Sequence, residues 1–538
     1  MNERPAKLYF NYPQQRAMYI AAKDEYVVAG RGSGKTEGII APRLIRNVFA
    51  MPRSSGAIIG ATYKQLLTRT LPSTFHALER MGYVRDRHYF VGRHPPKSYN
   101  FKTPYIDPFS YDHVVCWFNG SIQHLISQDR VGSTNSMSLD YLIGDEAKFL
   151  NFDRLKDETF QANRGNINYF KNCPWHHGQV FTTDMPTSQS AAWILDKVQE
   201  MDPELIQTIE QLFFHIHRLK QNPPSESSKK RIASLSNDLA LLRSKATLYL
   251  EFSALDNIEV LGEEFIRQMK RDLPPLVFRS SILNERIRKV QDGFYSSLNP
   301  KVHYYDRFDN TRLDDQKFDF DKIQSLGCRQ DADIAIGQPL SIALDYGANI
   351  NCLVVGQVID NSELRFLKSL YVKTPRKLKD VVSDFCDYYV YHPVKTVNFF
   401  YDATAIAQHP VMEYSYKDEV IRVLQSRGWY VDEKYIGKPV AHKLKQFYWD
   451  LALKGQKYLF PTFNRYNCEY LILSMEQAGI VYGRNGFEKD KSKERDSEYP
   501  QEEATHISDA ADTLFIGSIF NPCDSLNNFN YHTMFGNY

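Results

Sequence analysis

Ala29-Gly30-Arg31-Gly32-Ser33-Gly34-Lys35-Thr36 follows directly on the apolar run Tyr26-Val27-Val28. Glycines spaced among small residues let successive backbone N–H groups turn inward around an anion. The helix that follows points its positive end at the same place. The stretch therefore reads as strand, phosphate loop and helix. Gly30, Gly32, Ser33 and Gly34 form the cradle, Lys35 reaches the β- and γ-oxygens, and Thr36 ligates Mg2+. ATP with Mg2+ is the expected occupant. Ala29 stands where the strict motif has its first glycine, and Pro42 is expected to kink the helix. Arg31, inside the loop, is placed to lean on the γ-phosphate in cis.

A triphosphate site needs a second acidic strand. Leu139 to Leu150 supplies it as an apolar run ending in Asp145-Glu146. Asp145 is expected to hold Mg2+ through water and Glu146 to polarise the attacking water. Ala57 to Thr62 reads as the next parallel strand and Val180 to Asp184 as the strand after the acidic one. Thr182 and Thr183 at its end are candidates for sensing the γ-phosphate, against the plainer reading of strand-end threonines. Gln15, ahead of the loop, is the candidate for reading the adenine edge. Arg130 is a candidate arginine finger for a neighbouring subunit, with a structural salt bridge as the alternative. Strands alternating with helices predict a parallel α/β core over 1–290, an ASCE-type P-loop ATPase domain. A helical lid insertion is expected over about 203–275. Its two helical stripes, Ile206 to Ile216 and Ile232 to Ala246, are split by Asn222-Pro223-Pro224-Ser225.

After a linker expected over 291–335, the pattern changes. Ser341 to Gly347 is an apolar strand delivering Asp345, and two further strand-like runs follow, Cys352 to Ile359 and Leu364 to Val372. A helix over Leu378 to Tyr391 leads to the strand Val397 to Asp402. Late in the chain His506 to Leu514 reads as a helix with Asp509 and Asp512 on one face. That order predicts a ribonuclease H-like domain over 336–522. Acids closing apolar strands are costly without a counter-ion. Asp345, Asp402 and Asp509 are therefore expected to hold two Mg2+ or Mn2+ ions for phosphodiester cleavage. Asp509 is preferred over Asp512 as third ligand; Asp512 and His506 are alternatively second-sphere or structural. The run from Arg484 to Glu498 is expected to be a hairpin with a solvated, charged tip. Lys443 and Lys445 sit on a predicted helix as possible phosphate contacts, and 523–538 is expected to be a flexible tail.

Composition sets outer limits. The 538 residues call for more than one domain, and a net charge of +2 neither marks nor excludes a DNA partner. Seven dispersed cysteines argue for a reducing compartment, hence a cytosolic protein, and against disulfides or a zinc site. No apolar run is long enough for a bilayer, so no membrane association is expected.

Gly-Arg-Gly-Ser-Gly-Lys-Thr, then Ile-Gly-Asp-Glu-Ala, then Leu-Asp-Tyr-Gly and Tyr-Asp-Ala-Thr together resemble the large terminase subunits of tailed bacteriophages, over nearly the whole chain. The resemblance implies a DNA-packaging motor. ATP hydrolysis would drive double-stranded DNA into a procapsid, and a nuclease would cut the concatemer at initiation and termination. Lys35, Thr36, Asp145 and Glu146 map onto the family's ATPase centre, Thr182 and Thr183 onto its coupling motif, and Asp345, Asp402 and Asp509 onto its nuclease triad. Thr-Thr-Asp departs from a coupling motif that more often ends in proline. The resemblance further implies a ring, commonly of five subunits, on a portal protein, a small terminase subunit as partner, and action in the host cytoplasm. A helicase-nuclease of recombination or repair is the alternative, and a nucleotide-switched scaffold a third reading.

Overall fold

The computed structural model describes residues 8–129, 134, 136–186, 191–223, 225–273, 278–286, 293–406, 415–483, 486–496 and 499–520. The chain divides into two compact units. One comprises residues 1–289, 306–332 and 497–500; the other comprises 290–305, 333–496 and 501–538.

The first unit is built on β1 (Asp24–Ala29), β2 (Ser55–Gly60), β3 (Tyr89–Val91), β4 (Val114–Trp117), β5 (Ile122–Ser127), β6 (Tyr141–Gly144), β7 (Gly178–Thr183) and β8 (Thr247–Phe252). They form one sheet in the order β3-β4-β5-β2-β6-β7-β1-β8. The pairs from β5 through β8 are parallel, whereas β3-β4 and β4-β5 are antiparallel. Val27, Val28, Ala57, Ile59, Leu142, Ile143, Val180 and Phe181 are buried, as expected of strands covered on both faces. Because β6, β7 and β1 are parallel neighbours, their carboxyl ends deliver Asp145-Glu146, Thr182-Thr183-Asp184 and the glycine-rich loop 29–36 to one edge of the sheet. Beyond the loop the helix opens as a π turn over Thr36–Ile40 before the regular helix Ala41–Ala50. Pro42 falls just past that π turn, at the second residue of the regular helix.

The helical excursion is shorter than expected. Its helices are Pro203–Gln221, capped by Asp202, and Glu226–Arg243, capped by Ser225. Ala246 precedes β8, which joins the sheet edge beside β1 and buries Leu248, Leu250 and Phe252. Leu248-Tyr249-Leu250-Glu251-Phe252 has strand composition, and pairing with β1 ends the excursion there.

The second unit carries β9 (Tyr304–Tyr305), β10 (Leu340–Tyr346), β11 (Ile350–Ile359), β12 (Glu363–Lys373), β13 (Thr396–Tyr401), β14 (Tyr430–Tyr435) and β15 (Phe460–Asn464). The order is β14-β13-β10-β11-β12-β15-β9. β10, β11 and β12 form an antiparallel meander, and β13 runs parallel to β10. A separate hairpin pairs β16 (Ile480–Gly483) with β17 (Gly486–Lys489). The closing helix His506–Phe520 packs against β10, β11 and β13, burying Ile507, Ala510, Ala511, Leu514 and Phe515. Trp449 stacks on Phe515 at 4.0 Å in the same core.

The stretch 291–335 is not a linker. Phe294 and Tyr295 are core residues of the second unit, and Tyr304-Tyr305 extends its sheet. Residues 306–332 belong to the first unit, where Leu313 and Ile323 are fully buried. The aromatic and aliphatic side chains of this stretch are too apolar to be left in water.

Candidate active sites

In the first unit, Gly32 and Gly34 both sit in the left-handed region, at φ of 82° and 78°. No side chain could follow the loop there without strain. Amides from elsewhere in the chain hold the loop by its carbonyls. Gln14 Nε2 donates to Ser33 O (3.1 Å) and Gly34 O (3.0 Å), Asn11 Nδ2 to Ser33 O (3.2 Å), and Asn257 Nδ2 to Gly32 O (2.7 Å). With those carbonyls turned out, the amides of the loop's second half face the opposite way, as an anion cradle needs. Asn11, Gln14 and Asn257 have no signature in the sequence, because they act on backbone. Gln15 is exposed, and its amide donates to Phe10 O at 2.5 Å. Of the glutamine pair, it is Gln14 that touches the loop.

Lys35 Nζ folds back on Ala29 O (2.5 Å) and Gly30 O (3.4 Å), within the loop's own span. Thr36 opens the π turn beside it. Asp145 Oδ1 accepts from Thr182 Oγ1 at 2.5 Å and from Glu146 N at 2.9 Å. Thr183 Oγ1 accepts from Lys148 N at 3.3 Å. The two threonines thus tie the end of β7 to the acidic turn after β6. Glu146 is held at φ 54°, a left-handed conformation that costs a non-glycine residue about 1 kcal/mol. Burial first, and then the Asp184 and Asp145 charges, push its carboxyl above the ordinary value, while Lys148 opposes them. A general base benefits from such a shift. Thr36 hydroxyl and Asp145 carboxylate are hard oxygen donors that suit Mg2+.

Asp184, to which the sequence gives no role beyond closing Thr-Thr-Asp, anchors the cations of this edge. Its Oδ1 lies 2.9 Å from Lys148 Nζ and its Oδ2 3.3 Å from Arg31 Nε. Burial would raise its carboxyl, but Lys148, Lys35 and Arg31 outweigh it and hold the group well below the usual range. Arg31 therefore rests on Asp184. Arg130 lies outside the described residues.

In the second unit, β10 and β13 pair from Leu340↔Val397 to Ala343↔Phe400. Continued two residues past the last pair, this register brings Asp345, near the end of β10, beside Asp402, the residue that follows β13. Asp402 Oδ1 accepts from Thr404 N (2.9 Å) and Thr404 Oγ1 (2.5 Å). Asp345 Oδ2 is 2.9 Å from His506 Nδ1, whose Nε2 is 3.2 Å from Gln501 Oε1. Burial raises the Asp345 carboxyl and the Asp509 charge adds to this, with the His506 hydrogen bond opposing. For His506, burial lowers the imidazole but Asp345 outweighs it and leaves the group above its usual value.

Asp509 and Asp512 lie one turn apart on the closing helix, and both are taken by lysines. Lys489 Nζ is 2.6 Å from Asp509 Oδ1 and 2.8 Å from Asp512 Oδ2, and donates to Tyr295 Oη at 2.8 Å. Its side chain is 0% exposed. Burial would depress that ammonium, but the two carboxylates overcome it and hold it well above the ordinary value. Lys491 Nζ pairs with Asp509 Oδ2. Asp512 Oδ1 accepts from Tyr295 Oη (2.7 Å) and Trp449 Nε1 (2.8 Å), and Lys445 Nζ stands 3.5 Å from Oδ2. Asp512 is thus fully buried with both oxygens committed, and Lys445 faces it from a largely covered position. The hairpin lies earlier than the expected 484–498: it pairs Ile480–Gly483 with Gly486–Lys489, Ser492–Arg495 form a short helix, and Lys489 is buried beneath the acids where a solvated charged run was expected; residues 484, 485, 497 and 498 lie outside the described residues.

Among the described residues no three His, Cys, Asp or Glu side chains are gathered as a set that could hold a metal ion. Asp345 and Asp402 are hard donors whose chemistry fits Mg2+ or Mn2+. Asp509, as placed, does not fit the same part, because ammonium groups stand on both of its oxygens. The six described cysteines are free. No described helix is long and apolar enough to cross a membrane.

No family model and no curated protein matches the chain. Among solved structures it is similar to the large terminase of a thermophilic bacteriophage in complex with ADP, at 12% identity over 95% of this chain and 99% of that chain, with a TM-score of 0.37. It is also similar to the HK97 bacteriophage large terminase, at 13% identity over 96% of each chain and a TM-score of 0.31. The ATPase domain of the Thermus phage P74-26 large terminase matches at 16% identity, over 52% of this chain and 98% of that one, with a TM-score of 0.29.

Proposed function

We propose that this chain is the ATPase and nuclease of a viral DNA-packaging motor, a large terminase. The observation that carries the reading is the presence of two separate carboxylate centres, each at the carboxyl ends of neighbouring parallel strands. One stands beside a phosphate loop and the other does not. In the first unit the loop amides and Lys35 bind the triphosphate, and Glu146 takes the proton of the attacking water. Asp145 and Thr36 would hold Mg2+, which neutralises phosphate charge when bound. Thr182, bonded to Asp145, transmits the change at the phosphate into β7. In the second unit Asp345 and Asp402 would bind Mg2+ or Mn2+, an ion that activates water for phosphodiester cleavage. His506 orients Asp345. The partners on this reading are double-stranded DNA, a portal-bearing procapsid, a small terminase subunit and further copies of this chain in a ring, in the host cytoplasm.

The reading is tested in two halves. Lys35→Ala is expected to lower DNA-stimulated ATP hydrolysis at least ~100-fold, the scale of a lost phosphate-charge contact. Asp345→Ala is expected to abolish metal-dependent plasmid cleavage and leave hydrolysis intact. Wild-type rates in both variants would overturn the assignment. Unwinding of forked DNA would favour a helicase-nuclease instead.

A further inference from the structure

We propose that the cutting centre takes one divalent ion, between Asp345 and Asp402, and that the ammonium groups of Lys489 and Lys491 occupy the place of a second. The inference rests on the nuclease reading above and changes what that centre holds. Asp509 presents one oxygen to each lysine: Oδ1 to Lys489 at 2.6 Å and Oδ2 to Lys491. A second ion ligated by Asp509 would have to displace one ammonium or share a carboxylate with it at close range. Lys489 cannot leave without cost. It is fully buried, and it also holds Asp512 at 2.8 Å, Tyr295 Oη at 2.8 Å and Ser508 Oγ at 3.3 Å. Its removal would take from Asp512, which is fully buried, its nearest ammonium and from Asp509 one of its two.

Charge counting agrees. Asp509, Asp512 and Glu494 bring three negative charges, and Lys489, Lys491 and Lys445 bring three positive ones. Asp345 is hydrogen-bonded by His506 and Asp402 by Thr404, neither of them a lysine or arginine. The carboxylates of this centre without a lysine or arginine at bonding distance among the described residues thus lie at the ends of β10 and β13. Lys491, at 40% side-chain exposure, is the member of the pair that a phosphate could reach. Lys489 lies beneath it and fixes Asp509.

The test counts Mn2+ bound to the full-length, nucleotide-free chain by electron paramagnetic resonance of the free ion. Asp345→Asn serves as the blank for sites elsewhere. One equivalent lost on Asp345→Asn is expected for the wild type, with a cleavage rate first order in Mn2+. Lys491→Gln is expected to gain a second Asp345-dependent equivalent, because Asp509 Oδ2 is released. Its cleavage should fall at least ~tenfold at low Mn2+ and recover at high Mn2+, as a phosphate-facing cation is lost and then replaced. Two equivalents in the wild type with cleavage intact would overturn the inference and leave the nuclease reading standing. No equivalent lost on Asp345→Asn, together with no cleavage, would overturn the reading itself.

Discussion

Asp184 joins residues that stand apart in the sequence: the loop arginine, the lysine two residues past Glu146, and the end of β7. Removing its charge leaves Lys148, which is largely covered, without its carboxylate. Asp184→Asn is therefore expected to cost about 2 kcal/mol of unfolding free energy, below the usual range for a broken buried pair because Arg31 is exposed. The pH dependence has a definite sign. The folded-state carboxyl lies below its unfolded value, so its contribution is complete above the ordinary aspartate range near ~4 and lost as pH falls through the depressed value. Thermal melts of Asp184→Asn at neutral pH and near pH ~3 should differ less than those of wild type, and an equal difference would refute the assignment. At this scale the sequence is legible where chemistry is local. Lys35, Thr36, Asp145 and Glu146 announce themselves by spacing. Asn11, Gln14 and Asn257 do not, because an amide that grips a distant carbonyl leaves no pattern.

Among the elements, the β16-β17 hairpin departs furthest from expectation. Its charged residues read as a solvated tip, since a lysine among acids and lysines is ordinarily exposed. Strand alternation instead carries Lys489 inward, and only the closing helix, 20 residues later in sequence, supplies its partner Asp509. A buried lysine can be inferred only from partners that the fold brings in. Lys489→Met is expected to destabilise the second unit by about 3 kcal/mol, because it takes the closest ammonium from buried Asp512 while Lys491 and Lys445 remain. Adding Asp512→Asn should restore part of that loss in urea melts, whereas additive losses would exclude the coupling. The strands β10 to β13 and the closing helix were all legible from periodicity, because each is a long apolar run or one ended by an acid. Their register, which brings Asp345 beside Asp402, was not.

For the whole molecule, the division into two units was legible from the change in pattern near residue 340, but its boundary was not. Stretch 291–335 carries Phe294, Tyr295, Tyr304, Tyr305 and Phe308, an aromatic density that a linker would not bear, and it is shared between the units. Each unit has its own core and its own expected ligand. Calorimetry should therefore resolve two transitions. ATP-γ-S with Mg2+ at ~100 times its dissociation constant stabilises its unit by about 2.7 kcal/mol, a rise of roughly 5 °C in one transition only. Lys35→Ala should abolish that rise and leave the other transition in place. A single transition, or a rise in both, would contradict independent cores.

The glycine-rich loop 29–36 is held by three amides that lie outside it, two in the helix start at residues 11–14 and one at Asn257. Grafted alone into a foreign sheet, residues 29–36 would leave these tethers behind, and their glycines would let the carbonyls swing freely. The octapeptide is thus not a portable cassette: whatever grip it has on a nucleotide is owned by a neighbourhood that reaches from Asn11 to Asn257 along the chain.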